Sequence, residues 1–269
     1  EFGLQSLPDR RTLEAVGVQS YEDTVLQFRQ RSRMEWLEPG FDGWDMMQFY
    51  AGDYFADPST AELEAMDRLD TWIYLTQLTQ AEGLRQAVER HRCSQGRTSG
   101  SLYWQLDDVW PTVSWSTVDH AGRWKLAHHA VRHANQPVRV LPDRTQGDRI
   151  AFVIANDSPL TTEGVVEWSL IDLAGDTATA GRFGVTVEAH TTASWSASDA
   201  EVVSDRHILS WQWIGRDRAA TVHDAGHHTF RPVGDLKWEA ATLQVETMEH
   251  GVRLSTDVPA AGVWLFSAS

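Results

Sequence analysis

The residues of this chain best equipped for chemistry gather in two places. One is Glu1-Phe2-Gly3-Leu4-Gln5-Ser6-Leu7-Pro8, and the other is Leu102-Tyr103-Trp104-Gln105-Leu106-Asp107-Asp108-Val109-Trp110-Pro111, with Trp115 shortly after. Asp107 and Asp108 supply two carboxylates, the groups that do general acid and base work. Neighbours on a strand point to opposite sides, so the pair is not expected to face one substrate. Thirteen tryptophans, four of them between Trp104 and Trp124, suit either aromatic platforms for sugars or a large aromatic core. The histidines invite a metal, but their spacing is poor. His128 and His129 are adjacent, as are His227 and His228, and His129 with His133 lacks the glutamate of a zinc-protease motif. Packed or solvated histidines are the expectation, with no metal and no cofactor. Cys93 is the single cysteine, which excludes an intrachain disulfide and a CxxC pair. The chain also lacks a phosphate-binding glycine loop, a Gly-x-Ser-x-Gly elbow and a dinucleotide fingerprint.

Composition narrows the partners. Lys and Arg number 23 against 38 Asp and Glu, for a formal charge of −15, and no basic stripe offers counterion release, so nucleic acid is not an expected partner. Apolar residues make up 42%, and no apolar run approaches the ~20 residues of a membrane span, so no membrane partner is expected either. The acidic balance and missing disulfides point to a cytoplasmic setting. The chain opens on Glu1 with no initiator Met and closes on a strand-like Gly-Val-Trp-Leu-Phe-Ser-Ala-Ser, which reads as a fragment or processed product.

The elements that must position these residues change character near residue 135. Up to about Arg132 the apolar spacing is mostly helical; from about Val138 it alternates and is rich in Val, Ile, Thr and Trp. Ser20 and Asp23 predict a capped helix over 21–31, and a turn through Pro39, Gly40, Asp42 and Gly43 leads to another over 44–51. Pro58, with Ser59 and Glu62 at capping-box spacing, predicts a long helix to about Arg92. Alternation predicts a strand at 101–106, and a further helix runs over 124–133. This order is α/β. Beyond it, strands are predicted at 149–155, 165–173, 183–189, 208–214, 243–247 and 263–267, the spacing of an antiparallel sandwich.

On these residues a resemblance can be stated. Glu1-Phe2-Gly3 resembles the end of the seventh barrel strand in β-mannosidases of glycoside hydrolase family 2, and Tyr103-Trp104-Gln105-Leu106-Asp107-Asp108 resembles the eighth. Ile73-Tyr74-Leu75-Thr76-Gln77 is similar to the family's seventh barrel helix, and Gly122-Arg123-Trp124-Lys125 through His129 to the start of the eighth. The match spans nearly all of residues 1–135. Thr256-Asp257-Val258-Pro259-Ala260 and Gly262-Val263-Trp264-Leu265 resemble, more loosely, the family's final sandwich.

The resemblance implies an α/β plus all-β chain. Residues 1–136 would form the C-terminal part of a (β/α)8 TIM barrel, 137–232 an immunoglobulin-like β-sandwich, and 233–269 the start of a second, incomplete one. It further implies a retaining glycosidase that removes terminal non-reducing β-D-mannosyl residues from a glycan. Glu1 takes the place of the nucleophile. Such an enzyme needs a second carboxyl about 5–5.5 Å away, which here must lie in an upstream part of the parent chain. A whole barrel takes about 250 residues, so these 269 alone are expected to be inactive. Trp104 matches the floor under the sugar, and Trp110 lines the cleft or packs at a junction. The family more often has Asn where Asp107 stands. Alternatives are another family 2 activity, of β-galactosidase or β-glucuronidase type, and a non-catalytic carbohydrate-binding module.

Overall fold

The computed structural model describes residues 1–29, 40–63, 66–197, 200–216 and 222–265. It divides into two compact units, Glu1–Gln136 and Pro137–Ser269.

In the first unit the first four helices begin where a carboxylate can take up free amide protons. Asp9 accepts from the Arg11 N–H and opens α1 (Arg10–Glu14). Asp23 accepts from Val25 at the start of α2 (Thr24–Arg29). Asp42 and Asp45 form a reciprocal capping box on α3 (Gly43–Tyr54). The longest helix, α4 (Arg68–Cys93), is capped by Asp67 and ends on Arg90, His91 and Arg92, the two arginine charges suiting its negative end. The last, α5 (Leu126–Ala134), has the sharpest division into two faces. Leu84 of α4 packs with Ala127 and Val131 of α5, and this cluster covers Phe2, Ala81 and Tyr103.

Several expectations need correction. The long helix starts ten residues later than its spacing suggested, because Asp57 accepts from both the backbone N–H and the hydroxyl of Ser59 and closes a turn at Pro58–Thr60 instead. Residues 101–106 form no strand. Phe2 and Tyr103 share one parallel bridge, with Phe2 N–H donating to Leu102 O at 3.2 Å and Trp104 N–H to Phe2 O at 2.8 Å. After Trp104 the chain turns to a different neighbour, since Gln105 N–H donates to Trp115 O and Val118 N–H to Leu106 O. The expected helix end at residues 30–31 and Pro39 of the turn lie outside the described residues.

The second unit is a two-layer antiparallel sandwich. One sheet has the order β1 (Val138–Pro142), β2 (Ala151–Asn156), β5 (Thr191–Ser196); the other has the order β4 (Thr177–Val187), β3 (Thr162–Asp172), β6 (His207–Gly215), β7 (Val222–Thr229). Alternate residues of β3 are buried, as a sheet with one wet face requires. The layers meet on Val140, Phe152 and Ile154 from the first sheet and Val166, Trp168, Leu170, Trp211 and Trp213 from the second. Trp168 and Trp211 are register neighbours flanked by Gly181 and Gly226, and a Cβ on either glycine would press into the indole beside it. Phe183 and Trp195 stack across the layers at 4.1 Å and 5°.

Of the predicted strands, 149–155, 165–173, 183–189 and 208–214 overlap β2, β3, β4 and β6. No expectation covered β1, β5 or β7. The predicted 243–247 falls on β8 (Leu243–Met248), which pairs with β9 (Gly251–Thr256) in a separate hairpin. Residues 263–265 form no strand, and 266 and 267 lie outside the described residues.

Candidate functional site

Glu1 is exposed and stands one residue before the parallel bridge, and Trp104 stands one residue after it on the neighbouring segment. The bridge brings these two sequence-predicted residues onto adjacent extended stretches, which lie about 4.8 Å apart when so paired. Gly3 is dictated by that approach. A Cβ there would fall inside contact distance of the Trp104 carbonyl oxygen and 3.1 Å from Trp115 Cδ1. Behind the bridge the side chains of Phe2 and Tyr103 are held by α4 and α5, so the segment bearing Glu1 is backed by helices.

Trp104 is 50% exposed and Trp110 57%, and neither ring pairs with another aromatic ring among the described residues. Their faces can therefore meet a ligand. Trp110 sits on a turn that Asp108 closes, with Asp108 Oδ1 accepting from the Val109 and Trp110 N–H groups at 2.8 and 3.3 Å. Asp108 is thus occupied locally on one oxygen, while its Oδ2 is buried without a partner. Trp115 instead lines a pocket of about 160 Å³ with Gly3, Gln5, Met46, Tyr50 and Thr76. His128 and the exposed His129 lie beside Trp124, with ring centroids 4.3 and 5.1 Å away, and Thr117 Oγ1 is 3.1 Å from His128 Nδ1. Burial lowers the proton affinity of both rings, followed by His129 and then Arg132 for His128 and by Arg132 for His129. Among the described residues no three His, Cys, Asp or Glu side chains converge on a cation position, and no helix is long and apolar enough to cross a membrane.

Three residues that hold this arrangement escaped the sequence reading. Gln80 is fully buried on α4: its Oε1 accepts from Ser6 Oγ at 2.7 Å, and its Nε2 donates to the carbonyls of Leu4, Trp115 and Ser116 at 2.9–3.1 Å. Asp119 accepts from the Asp9 N–H, the Thr12 hydroxyl and the N–H groups of Ala121 and Arg123. Lys125 is 1% exposed, with Nζ donating to Ser6 O at 3.2 Å. Burial lowers its pKa to about 7, against the pull of the Asp108 and Asp119 carboxylates. Gln80 had a faint signal, a polar residue on the apolar stripe of a long helix; Lys125 had none.

Comparison with known proteins agrees with the resemblance. Beta-mannosidase A of Aspergillus niger is 30% identical over 189 residues, covering 65% of this chain and 20% of that one. Beta-mannosidase of Capra hircus is 31% identical over 189 residues, 64% of this chain and 20% of that one. The chain therefore spans about one fifth of the length of these relatives. In fold it is similar to beta-D-mannosidase from Dictyoglomus thermophilum, with a TM-score of 0.74 and 22% identity over 96% of this chain and 31% of that one. An exo-chitosanase of Amycolatopsis orientalis aligns with a TM-score of 0.63 and 16% identity, over 89% of this chain and 27% of that one. No family model matches the chain.

Proposed function

We propose, because the chain is a relative of the β-mannosidases of glycoside hydrolase family 2, that it forms part of a glycosidase removing terminal non-reducing β-D-mannosyl residues by double displacement. The Glu1 carboxylate attacks the anomeric carbon, the glycosidic C–O bond breaks, and the leaving oxygen takes a proton from a second carboxyl. Water then attacks the glycosyl ester and restores Glu1, with that second group now acting as base. The acid/base residue lies outside these 269. Residues 1–136 supply the last two strand–helix units of a (β/α)8 barrel, 137–232 an immunoglobulin-like sandwich, and 233–269 the start of another.

The observation that supports this reading best is the parallel bridge between Phe2 and Tyr103. It sets Glu1 and Trp104 on adjacent segments with helices behind them, as neighbouring strands of a barrel would be backed. An exposed indole there offers an apolar floor to the C–H face of a pyranose, and Trp110 a wall. The tryptophans of the second unit argue against a separate binding module, since Trp168, Trp211 and Trp213 are spent on its core.

The test is hydrolysis of a panel of p-nitrophenyl β-glycosides by the longest natural chain carrying this sequence, beside the 269 residues alone. Selective mannoside turnover that falls at least a thousandfold in Glu1→Gln supports the reading, and the 269-residue chain alone gives none. Unchanged turnover in the variant places the nucleophile elsewhere. Preference for a galactoside or glucuronide keeps the family and discards the sugar.

A further inference from the structure

Polar groups from two distant stretches of chain converge on the fully buried side chain of Gln80. Its Nε2 donates to Leu4 O at 2.9 Å, to Trp115 O at 3.0 Å and to Ser116 O at 3.1 Å, and its Oε1 accepts from Ser6 Oγ at 2.7 Å. Carbonyl oxygens only accept, so whatever stands among them must donate, and this fixes which end of the amide faces which partner. A carboxylate of the same length would set a charged oxygen against three others. An apolar side chain would offer those oxygens nothing, and each would lose its partner out of reach of water.

Each partner leads to the candidate site. Leu4 and Ser6 belong to the segment that begins at Glu1. Trp115 O also accepts, at 3.1 Å, from the N–H of Gln105, the residue after Trp104, and Thr117 N–H donates back to Gln105 O at 3.0 Å. The Trp115 ring presses on Gly3, with its Cδ1 3.1 Å from where a Cβ there would stand. Ser6 and Ser114 exchange main-chain hydrogen bonds at 3.0 and 3.2 Å, which holds residues 114–117 beside the Glu1 segment. The segments of Glu1 and Trp104 are therefore joined twice: directly by the Phe2–Tyr103 bridge, and behind it through Gln80 and Trp115. A single joint lets two extended segments splay about it, and a second one removes that freedom.

We propose that Gln80 is a positioning residue of the glycosidase site, its buried amide setting the separation between the segment of Glu1 and that of Trp104. The catalytic consequence rests on the functional reading above, though the tie itself does not. Gln80 touches no substrate. Trp104 sets where the sugar lies and Glu1 must meet its anomeric carbon at about 3–3.5 Å, so a displacement of about 1 Å between the two segments costs up to about a hundredfold in rate.

Hydrogen exchange on the 269-residue chain tests the tie. The side-chain amide of Gln80, read by NMR, should exchange more than about tenfold slower than that of the exposed Gln19. Equal rates overturn the proposal whether or not any variant folds. Gln80→Met keeps the length of the side chain and removes both donors. In it the Trp104 and Gln105 N–H groups should exchange about tenfold faster or more, while β3 amides of the second unit keep their rates. Unchanged exchange at those two groups in a folded variant also overturns the proposal. In the longest natural chain, Gln80→Met should lower kcat for the β-mannoside about tenfold to a hundredfold, with KM changed by less than about threefold. Val88→Ala, which removes buried methyl groups about two turns further along α4, is the control for lost stability and should leave kcat within about twofold. An equal loss of kcat in both variants, at a temperature where both are folded, reduces Gln80 to a packing residue and overturns the proposal. If the unmodified enzyme hydrolyses no β-glycoside, the functional reading fails while the exchange results still decide the tie.

Discussion

Glycine at position 3 carries a constraint that no other residue satisfies. The parallel bridge draws the backbone of Phe2–Leu4 against that of Leu102–Trp104, and the space a methyl group would need is filled by a main-chain oxygen that no rotamer change can clear. Gly3→Ala should therefore push the two segments apart. We expect a loss of about 1–3 kcal/mol, the usual cost of overpacking, measured as a shift in the urea midpoint of the first unit. Because the displaced oxygen belongs to Trp104, the same change should weaken mannoside binding in the longest natural chain. A midpoint within about 0.3 kcal/mol of the original would show that the approach is looser than described. The short motif around Glu1 was legible in the sequence because it is contiguous; the reason for its glycine was not, since the partner lies a hundred residues away.

Among the elements, α4 was legible as a helix, while the polar part of the face it buries was not. Its apolar repeat through Leu69, Ile73, Leu84 and Val88 gave the helix, yet the face it buries also holds Thr76, Gln77, Thr79 and Gln80. These polar residues do what an apolar stripe cannot. Gln77 Nε2 donates to Leu7 O and its Oε1 accepts from Leu126 N–H, so one side chain ties the segment of Glu1 to the first turn of α5. Gln80 joins the same segment to residues 115–116. Periodicity registers only apolar faces, and helix starts depend on which carboxylate finds the free amides, so the start at Asp67 and the role of Gln80 both lay beyond it. The prediction at this scale is that Gln80→Leu is more harmful than its isosteric size suggests. It strands the Ser6 hydroxyl and the carbonyls of Leu4 and Ser116, while Trp115 O keeps the Gln105 N–H, and each unsatisfied buried group costs about 1–3 kcal/mol. Thermal unfolding of the first unit should fall by several degrees, and Gln80→Glu, which keeps one acceptor but loses the amide donors, should fall as well. A Gln80→Leu chain as stable as the original would mean that water satisfies those groups without help.

For the whole molecule, the two units have separate buried clusters and separate logic: the first is held by buried polar ties around the Phe2–Tyr103 bridge, the second by an aromatic core with the buried ion pair of Arg139 and Asp224. That pair is the least legible part of the sandwich. Arg139 and Asp224 carry charges that in the sequence read as surface residues, but their side chains are 2% and 0% exposed and meet at 2.6 Å. Asp224 also accepts from the Val140 N–H at 2.7 Å, so it joins β1 of one sheet to β7 of the other along an edge. Removing one partner of such a pair leaves a charge buried alone, a penalty of about 3–5 kcal/mol, whereas replacing both by apolar groups can be nearly neutral. Arg139→Met should accordingly destabilise the second unit by about 3–5 kcal/mol. Adding Asp224→Leu should recover only part of this, because the Val140 N–H then has no acceptor. A denaturant titration followed through tryptophan fluorescence and through exchange at β3 amides separates these outcomes. Full recovery in the double variant would reduce the pair to mutual neutralisation, while partial recovery with an unchanged first unit would make Asp224 the tie between the two sheets.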